Sequence, residues 1–342
     1  MLPQVDQDKV AAISNKILEA LTKPMIVNEY VLDISTSIGC AIFPYHGKDV
    51  KSLIKQADVA MYHAKRNQLS LSIYNKNFDA HSLKKLGLVG ELRQAITNNE
   101  LSLVYQPKVS LLNGEYIGVE ALTRWNHPER GEISPSEFIP IAEQTGLIQP
   151  ITRWVLTTAI EQCKSWHKMG LNPNTSINLS AKDLHDPDLP GFLKELLSDN
   201  PMCATYVTLE LTESAIMTDA KLSLKVLNTL NEMGIKLSID DFGTGYSSLE
   251  YLARLPVSEL KIDRSFVAKM VHHQNERVIV RSTIELAHNL GLHVVAEGVE
   301  EAETINMLKA LKCDFAQGYF INHPASSNKI TSTLQAENST VI

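Results

Sequence analysis

Carboxylates recur in this chain next to short β-forming runs. Glu120 lies in GVEALTRW, Glu210 in TLELTES, Asp240 and Asp241 in SIDDFGTGYSSL, Asp263 in LKIDRSF and Glu297 in VVAEGVE, with Asn178 in SINLS. Drawn round one mouth, these six carboxylates would repel as anions, and the remedies are raised pKa values or bound dications. Lys261 is the one matching cation among the strand-end residues. Oxygen donors without His or Cys favour a hard ion, so Mg²⁺ or Mn²⁺ is expected rather than zinc. A pair of such ions can activate water and stabilise the attacking and leaving oxygens of an in-line phosphoryl displacement. Lys261 would hold that water or counter the developing charge. An enolase-like lyase also combines barrel carboxylates with a Lys base, and the residues alone leave that choice open. A single acid at a strand end is more often a helix N-cap or a rim ion pair; only their joint occurrence points to a site.

The elements that must position these groups follow one theme: a β-rich run, a loop, then a longer helical segment. The runs are Leu101–Gln106, Ile117–Arg124, Thr175–Asn178, Tyr206–Glu213, Lys236–Asp241, Glu259–Asp263, His293–Glu297 and Phe315–Tyr319. Eight strands alternating with helices over roughly 250 residues predict an α/β fold of (β/α)₈ type, with a doubly wound open sheet as the runner-up. Barrels place chemistry at the C-terminal strand ends. Alternation puts Lys261 and Asp263 on one strand face, and likewise Ser176, Asn178 and Ser180. Consecutive Asp240 and Asp241 would point oppositely, but Gly243 and Gly245 follow, so the chain is expected to turn there and present both. Gly243-Thr244-Gly245 is no P-loop, and His272-His273 reads as solvated surface.

The 342 residues fit about two domains, and 44% hydrophobic with 21% charged residues is ordinary for a globular chain. A formal net charge of -7 argues against a duplex nucleic-acid coat. Cys40, Cys163, Cys203 and Cys313 are widely spaced without a CxxC pair, so neither a zinc site nor a disulfide framework is expected. With no long apolar run or signal peptide, the expected location is the cytoplasm, or the cytoplasmic side of a membrane if the parent protein has upstream spans. Val31–Phe43 and the helical spacing of residues 53–66 read as half of an α/β module. The polar stretch Asn75–Lys85 separates it from helical Leu86–Ile96. The expected division is 1–80 for the partial module, 81–335 for the barrel and 336–342 for a polar tail, with Ser326–Ile342 fraying.

Seven ordered segments resemble the signatures of the EAL domain across residues 85–325: Glu120–Trp125, Ser176–Ser180, Glu210–Glu213, Asp240–Gly245, Lys261–Asp263, Glu297–Glu300 and Gln317–Tyr319. The resemblance implies a modified TIM barrel that hydrolyses cyclic di-GMP to linear pGpG; with the two Mg²⁺ or Mn²⁺ ions expected from the donor chemistry, Ca²⁺ is expected to inhibit through its looser coordination. It implies metal ligation by Glu120, Asn178, Glu210, Asp240, Asp241, Asp263 and Glu297. Lys261 matches the lysine near the nucleophilic water, and Gln317 a glutamine near the metal-bound water. Gln106, Leu122 and Arg124 match ligand contacts. Glu213 and Glu300 match supporting acids, Glu213 steadying the loop Asp241–Leu249. A homodimer is also implied. The alternative is a catalytically silent cyclic di-GMP receptor, which usually lacks a metal ligand or the lysine; no matched position departs here. Residues 1–80 resemble the C-terminal half of a GGDEF domain through Ser37–Ala41 and Ala57–Lys65 but lack the GG[DE]EF signature, so cyclase activity is not expected. Such a fragment reflects a cut boundary or a partly lost domain, and leaves apolar surface uncovered.

Overall fold

Period-two alternation becomes strands and period-3.6 stretches become helices in the computed structural model, which describes residues 7–21, 25–27, 30–32, 36–66, 69–244 and 249–338. Two units divide between Glu91 and Leu92. The first holds α1 (Gln7–Leu21), a hairpin of β1 (Met25–Val27) and β2 (Tyr30–Leu32), and a parallel pair, β3 (Ile38–Cys40) and β4 (Leu71–Ile73), joined through α2 (Val50–Arg66). Ala60 and Ala64 of α2 are buried, whereas Ile54 and Met61 are exposed, in keeping with half a module. The strand reading Val31–Phe43 narrows to β2 and β3, residues 33–35 lying outside the described ones. Asn75–Lys85 is not a separating loop. From Lys76 it is part of the 22-residue helix α3 (Lys76–Thr97), because nothing in the stretch is a helix breaker.

In the second unit the strands are β5 (Leu101–Ser110), β6 (Tyr116–His127), β7 (Gly131–Ile133), β8 (Asn174–Leu179), β9 (Val207–Thr212), β10 (Lys236–Phe242), β11 (Glu259–Ile262), β12 (His293–Ala296) and β13 (Phe315–Ala316). The helices are α4 (Pro135–Thr145), α5 (Ile148–Lys168), α6 (Leu189–Leu196), α7 (Glu213–Met217), α8 (Ala220–Glu232), α9 (Leu249–Leu252), α10 (Arg264–Val267), α11 (Gln274–Asn289), α12 (Ala302–Ala310) and α13 (Ser327–Asn338). The order β5-β13-β12-β11-β10-β9-β8-β6 closes through the β5–β6 pairing, so the eight predicted runs form a barrel and the open sheet is excluded. The strand–loop–helix theme fails at its first step. β5 and β6 are an antiparallel hairpin, and β5 also runs antiparallel to β13, while β7 extends β6 as an outer edge.

Alternation sorts the side chains of each strand. On β9, Leu209 and Leu211 sit at one parity and Thr208 and Glu210 at the other, all buried; on β11, Leu260 and Ile262 alternate with Glu259 and Lys261. The lumen therefore carries polar and charged groups, and the apolar parity faces the helices. The expected frayed C-terminus is helical through Asn338, because Ile330 and Leu334, one turn apart, bury themselves and Trp166 Nε1 donates to Thr331 Oγ1 at 2.8 Å. Residues 339–342 lie outside the described ones.

Just past β13, Gly318 packs so tightly that an added Cβ would overlap the backbone of Val299. Backbone cannot swing aside as a side chain can, so Gly318→Ala should destabilise the barrel unit by about 1–3 kcal/mol, the usual range for overpacking. Denaturant midpoints of the two proteins measure this, and equal midpoints would show that Val299 yields freely.

Candidate active site

The lumen is organised around two fully buried lysines. Lys261 Nζ on β11 lies 2.6 Å from Glu210 Oε2, 2.7 Å from Glu297 Oε1, 3.3 Å from Asp240 Oδ1 and 3.5 Å from Glu120 Oε2. Lys108 Nζ on β5 donates to Ser176 Oγ at 2.6 Å and reaches Glu210 Oε1 and Glu259 Oε1, each at 3.3 Å. Strand β5 neighbours neither β9 nor β11, so these contacts cross the barrel. Glu210 thus gives one carboxylate oxygen to each lysine.

Charge follows from that placement. Burial alone would raise Glu210, yet Lys261 and Lys108 draw its carboxyl down to about 2. Burial pushes Glu120, Asp240 and Glu297 above the ordinary carboxylate value, Glu297 furthest, because Lys261 only partly offsets desolvation and mutual repulsion. Asp241 is raised too, by burial and by neighbouring Asp263. Burial opposes the charge on Lys261, but Asp240, Glu120, Glu210 and Glu297 outweigh it and hold the ammonium well above the usual lysine range. Two ammonium groups do not balance this many carboxylates.

The surplus is concentrated at the mouth, where oxygens of Asp240, Asp241 and Glu297 lie within 4.8 Å of one another. Glu120 accepts from Asn178 Nδ2 at 2.7 Å and from Gln317 Nε2 at 2.6 Å, and Gln317 Nε2 also reaches Gln106 Oε1 at 3.1 Å. This leaves Gln317 Oε1 buried without a hydrogen-bond partner. Orphaned acceptor, oxygen-only donors and uncompensated negative charge together fit a hard cation with bound water. Asp240 and Asp241 do converge, and the turn expected at Gly243 is present (φ 96°), but it begins one step earlier than the glycines imply. Asp241 itself takes a left-handed conformation (φ 53°), at a register break in β10 between Ile239 and Phe242, and donates its N–H to Asp240 Oδ1 at 2.9 Å. Asp tolerates that region better than most residues, and such bulges re-aim side chains. Gly245 lies outside the described residues.

Gln106, Glu120, Asp240, Glu297, Glu300 and Gln317 line one cleft of about 260 Å³, together with Arg264, Gly298, Gly318 and Tyr319. Asp263, beyond the end of β11, caps α10 by accepting from the Ser265 backbone N–H at 3.0 Å. Buried Glu213 accepts from the Gly243 N–H at 3.4 Å. Glu300 holds Arg264 Nη2 at 2.5 Å on the rim. Leu122 and Arg124 stand outside the cleft lining, two and four positions beyond Glu120 on β6, and Arg124 is engaged by the Thr123 carbonyl and by Glu132.

Lys108, Arg264 and Tyr319 were not legible as site residues. Taking Lys261 as the one matching cation missed Lys108, which is two positions past Gln106 and shares its face; the alternation that paired Lys261 with Asp263 would have found it. Its depth could not be read, since a residue past the end of a parallel run lies in the mouth loops, whereas β5 runs the opposite way.

Comparison with known proteins agrees with this geometry. Residues 89–324 match the EAL domain model and residues 1–70 the diguanylate cyclase GGDEF domain model. The bifunctional diguanylate cyclase/cyclic di-GMP phosphodiesterase MucR of Pseudomonas aeruginosa is 40% identical over 95% of this chain and 48% of its own length. For the cyclic di-GMP phosphodiesterase PdeR of Escherichia coli the values are 35%, 93% and 48%. The chain thus spans about half the length of these curated relatives. The solved structure of PaMucR phosphodiesterase in a c-di-GMP complex superposes with TM-score 0.69 at 44% identity, covering 71% of this chain and 99% of that one. The EAL enzyme Bd1971, bound to cAMP and cyclic di-GMP, gives TM-score 0.71 at 32% identity, covering 84% and 76%. A barrel closed by an antiparallel first strand, its lumen charged and its mouth acidic, preceded by a partial GGDEF domain, marks this chain as a member of the EAL domain family.

Proposed function

We propose that the barrel unit hydrolyses one phosphodiester bond of cyclic di-GMP to give linear pGpG. The observation that carries this reading is the buried Lys261 ammonium held at 2.6–3.5 Å from four carboxylates at the floor of an acidic cleft. Relatives named for this activity support it. Glu120, Asn178, Glu210, Asp240, Asp241, Asp263 and Glu297 would hold two Mg²⁺ or Mn²⁺ ions. When bound, those ions supply an activated water and charge neutralisation for in-line displacement. Lys261 counters charge developing on the phosphoryl oxygens. Gln317 Oε1, buried without a partner, would accept a hydrogen bond from the attacking water and orient it, while Gln106 and Glu120 fix its amide. Glu213 keeps Asp241 in place through Gly243. Gln106, Leu122 and Arg124 would contact the dinucleotide, Arg124 exchanging Glu132 for a phosphate oxygen.

Three outcomes follow. Incubated with cyclic di-GMP and Mg²⁺ or Mn²⁺, the purified chain should yield pGpG, and with Ca²⁺ it should bind without turnover, since looser coordination positions water poorly. Binding without product in Mg²⁺ and in Mn²⁺ would establish the silent receptor instead. Lys261→Met keeps most of the stem and removes the charge. Its kcat should fall about 10²–10³-fold with KM little changed, and normal turnover would remove the lysine from the mechanism.

The raised carboxyl groups predict a pH dependence for the metal-free protein. A group whose folded pKa exceeds its unfolded value binds more protons in the native state, so stability falls as pH rises from the ordinary carboxylate range upward. Glu120, Asp240, Asp241 and Glu297 all have this sign; Glu210 has the opposite one, and its contribution is lost only as pH falls towards about 2. Mn²⁺ at 100 times its dissociation constant should restore about 2.7 kcal/mol, more visibly at neutral than at acid pH. Melting curves with chelator and with Mn²⁺ across pH read this directly. A melting temperature that neither falls with pH in chelator nor responds to Mn²⁺ would contradict the acidic mouth as a cation site.

A further inference from the structure

Far apart in sequence, Cys163, His167 and Cys203 meet on the outer side of the barrel. Cys163 and His167 lie one turn apart on α5, and Cys203 comes from the short 3₁₀ turn Pro201–Tyr206 that leads into β9. Cys163 Sγ is 3.8 Å from His167 Nε2, Cys203 Sγ is 3.3 Å from His167 Nδ1, and one donor atom from each residue falls within a 4.8 Å group. One ion takes one imidazole nitrogen, and with one donor per residue the group spans up to 4.8 Å. The donors would therefore draw together to the roughly 3.3–3.8 Å that tetrahedral zinc with bonds of about 2.0–2.3 Å sets between them. Both thiols are fully buried, and the imidazole, partly exposed, rests edge-on against Tyr206 at 4.5 Å.

We propose that Cys163, His167 and Cys203 form a binding site for one zinc-class divalent cation, separate from the acidic mouth. Two thiolates and a neutral imidazole carry two negative charges, so the loaded cluster is neutral and suits burial. The donor set is soft where the mouth is hard, and the two sites would sort metals by chemistry. Loading breaks two S–H bonds, forms two S–metal bonds and one N–metal bond, and releases two protons without redox change. Burial opposes the thiolate form, so the arriving cation itself must drive deprotonation. Burial raises both thiols, Cys163 to about 12, while the Lys164 ammonium works against that rise at each. Burial also holds His167 neutral, as a ligand requires. On β8, the fully buried Thr175 hydroxyl lies close enough to lower the Cys163 thiol, and no conventional acceptor takes its proton. A thiolate would. The cation would then staple the turn before β9 to α5.

The reduced, metal-stripped chain should be titrated with Co²⁺ in excess Mg²⁺, which occupies the mouth. The expected result is an intense sulfur-to-cobalt charge-transfer band that saturates at one equivalent and is displaced by Zn²⁺, with two protons released per ion. Cys163→Ser and Cys203→Ser should each abolish the band while cyclic di-GMP hydrolysis continues. Thr175→Val should weaken cobalt binding about 10–100-fold, the usual cost of losing a group that supports a ligand. Absence of the band in the wild type overturns the proposal whether or not the variants fold, and so does a band that survives in the double Cys→Ser protein. The band is read independently of hydrolysis, so this test stands whatever the mouth proves to do.

Discussion

Glu210, buried at the centre of the lumen, pairs with two ammonium groups at once. Its two oxygens face two ammonium groups that enter the lumen from different strands, and the shape of the barrel unit serves that arrangement. Desolvating charge costs several kcal/mol per ion unless geometry and hydrogen bonds are good. Each strand must therefore hold its register so that Lys108, Ser176, Glu210, Glu259 and Lys261 meet. Closure between β5 and β6 fixes Lys108, and the outward Leu and Ile residues of β9, β10 and β11 bury against helices and hold the rest. Truncating one member of such a network costs about 3–5 kcal/mol because its partner stays buried and charged. With Glu210 satisfied below, the unbalanced charge rises to the mouth, where Asp240, Asp241, Glu297 and Glu120 repel one another.

Much of this was legible in one sequence. All eight barrel strands coincide with runs of β-forming residues, and polar residues at strand ends mark the mouth. Strand direction was not legible, since alternation reads the same both ways. That blind spot turned a hairpin into an assumed crossover and hid the depth of Lys108. The Asp241 conformation was hidden for another reason: glycines downstream offered a simpler turn, while the bulge depends on pairing with β11. The helix Ser327–Asn338 was masked by polar composition, although Ile330 and Leu334 carry its buried stripe.

The cysteines show the same limit from the opposite side. Their wide spacing excluded a ligand set in the sequence, yet helix periodicity joins Cys163 to His167 and tertiary packing adds Cys203. Chain separation measures only how much loop must be ordered, and that cost grows slowly with length.

The left-handed backbone at Asp241 also shapes what evolution can do with this barrel. Asn and Gly are the residues that inherit such a conformation readily, and Asn lies a single base change from Asp. A drifting gene copy can therefore erase the charge here while keeping the bulge, the cleft and the Glu210 network intact. At this position a single base change can remove a mouth carboxylate without asking the backbone to adopt a new conformation.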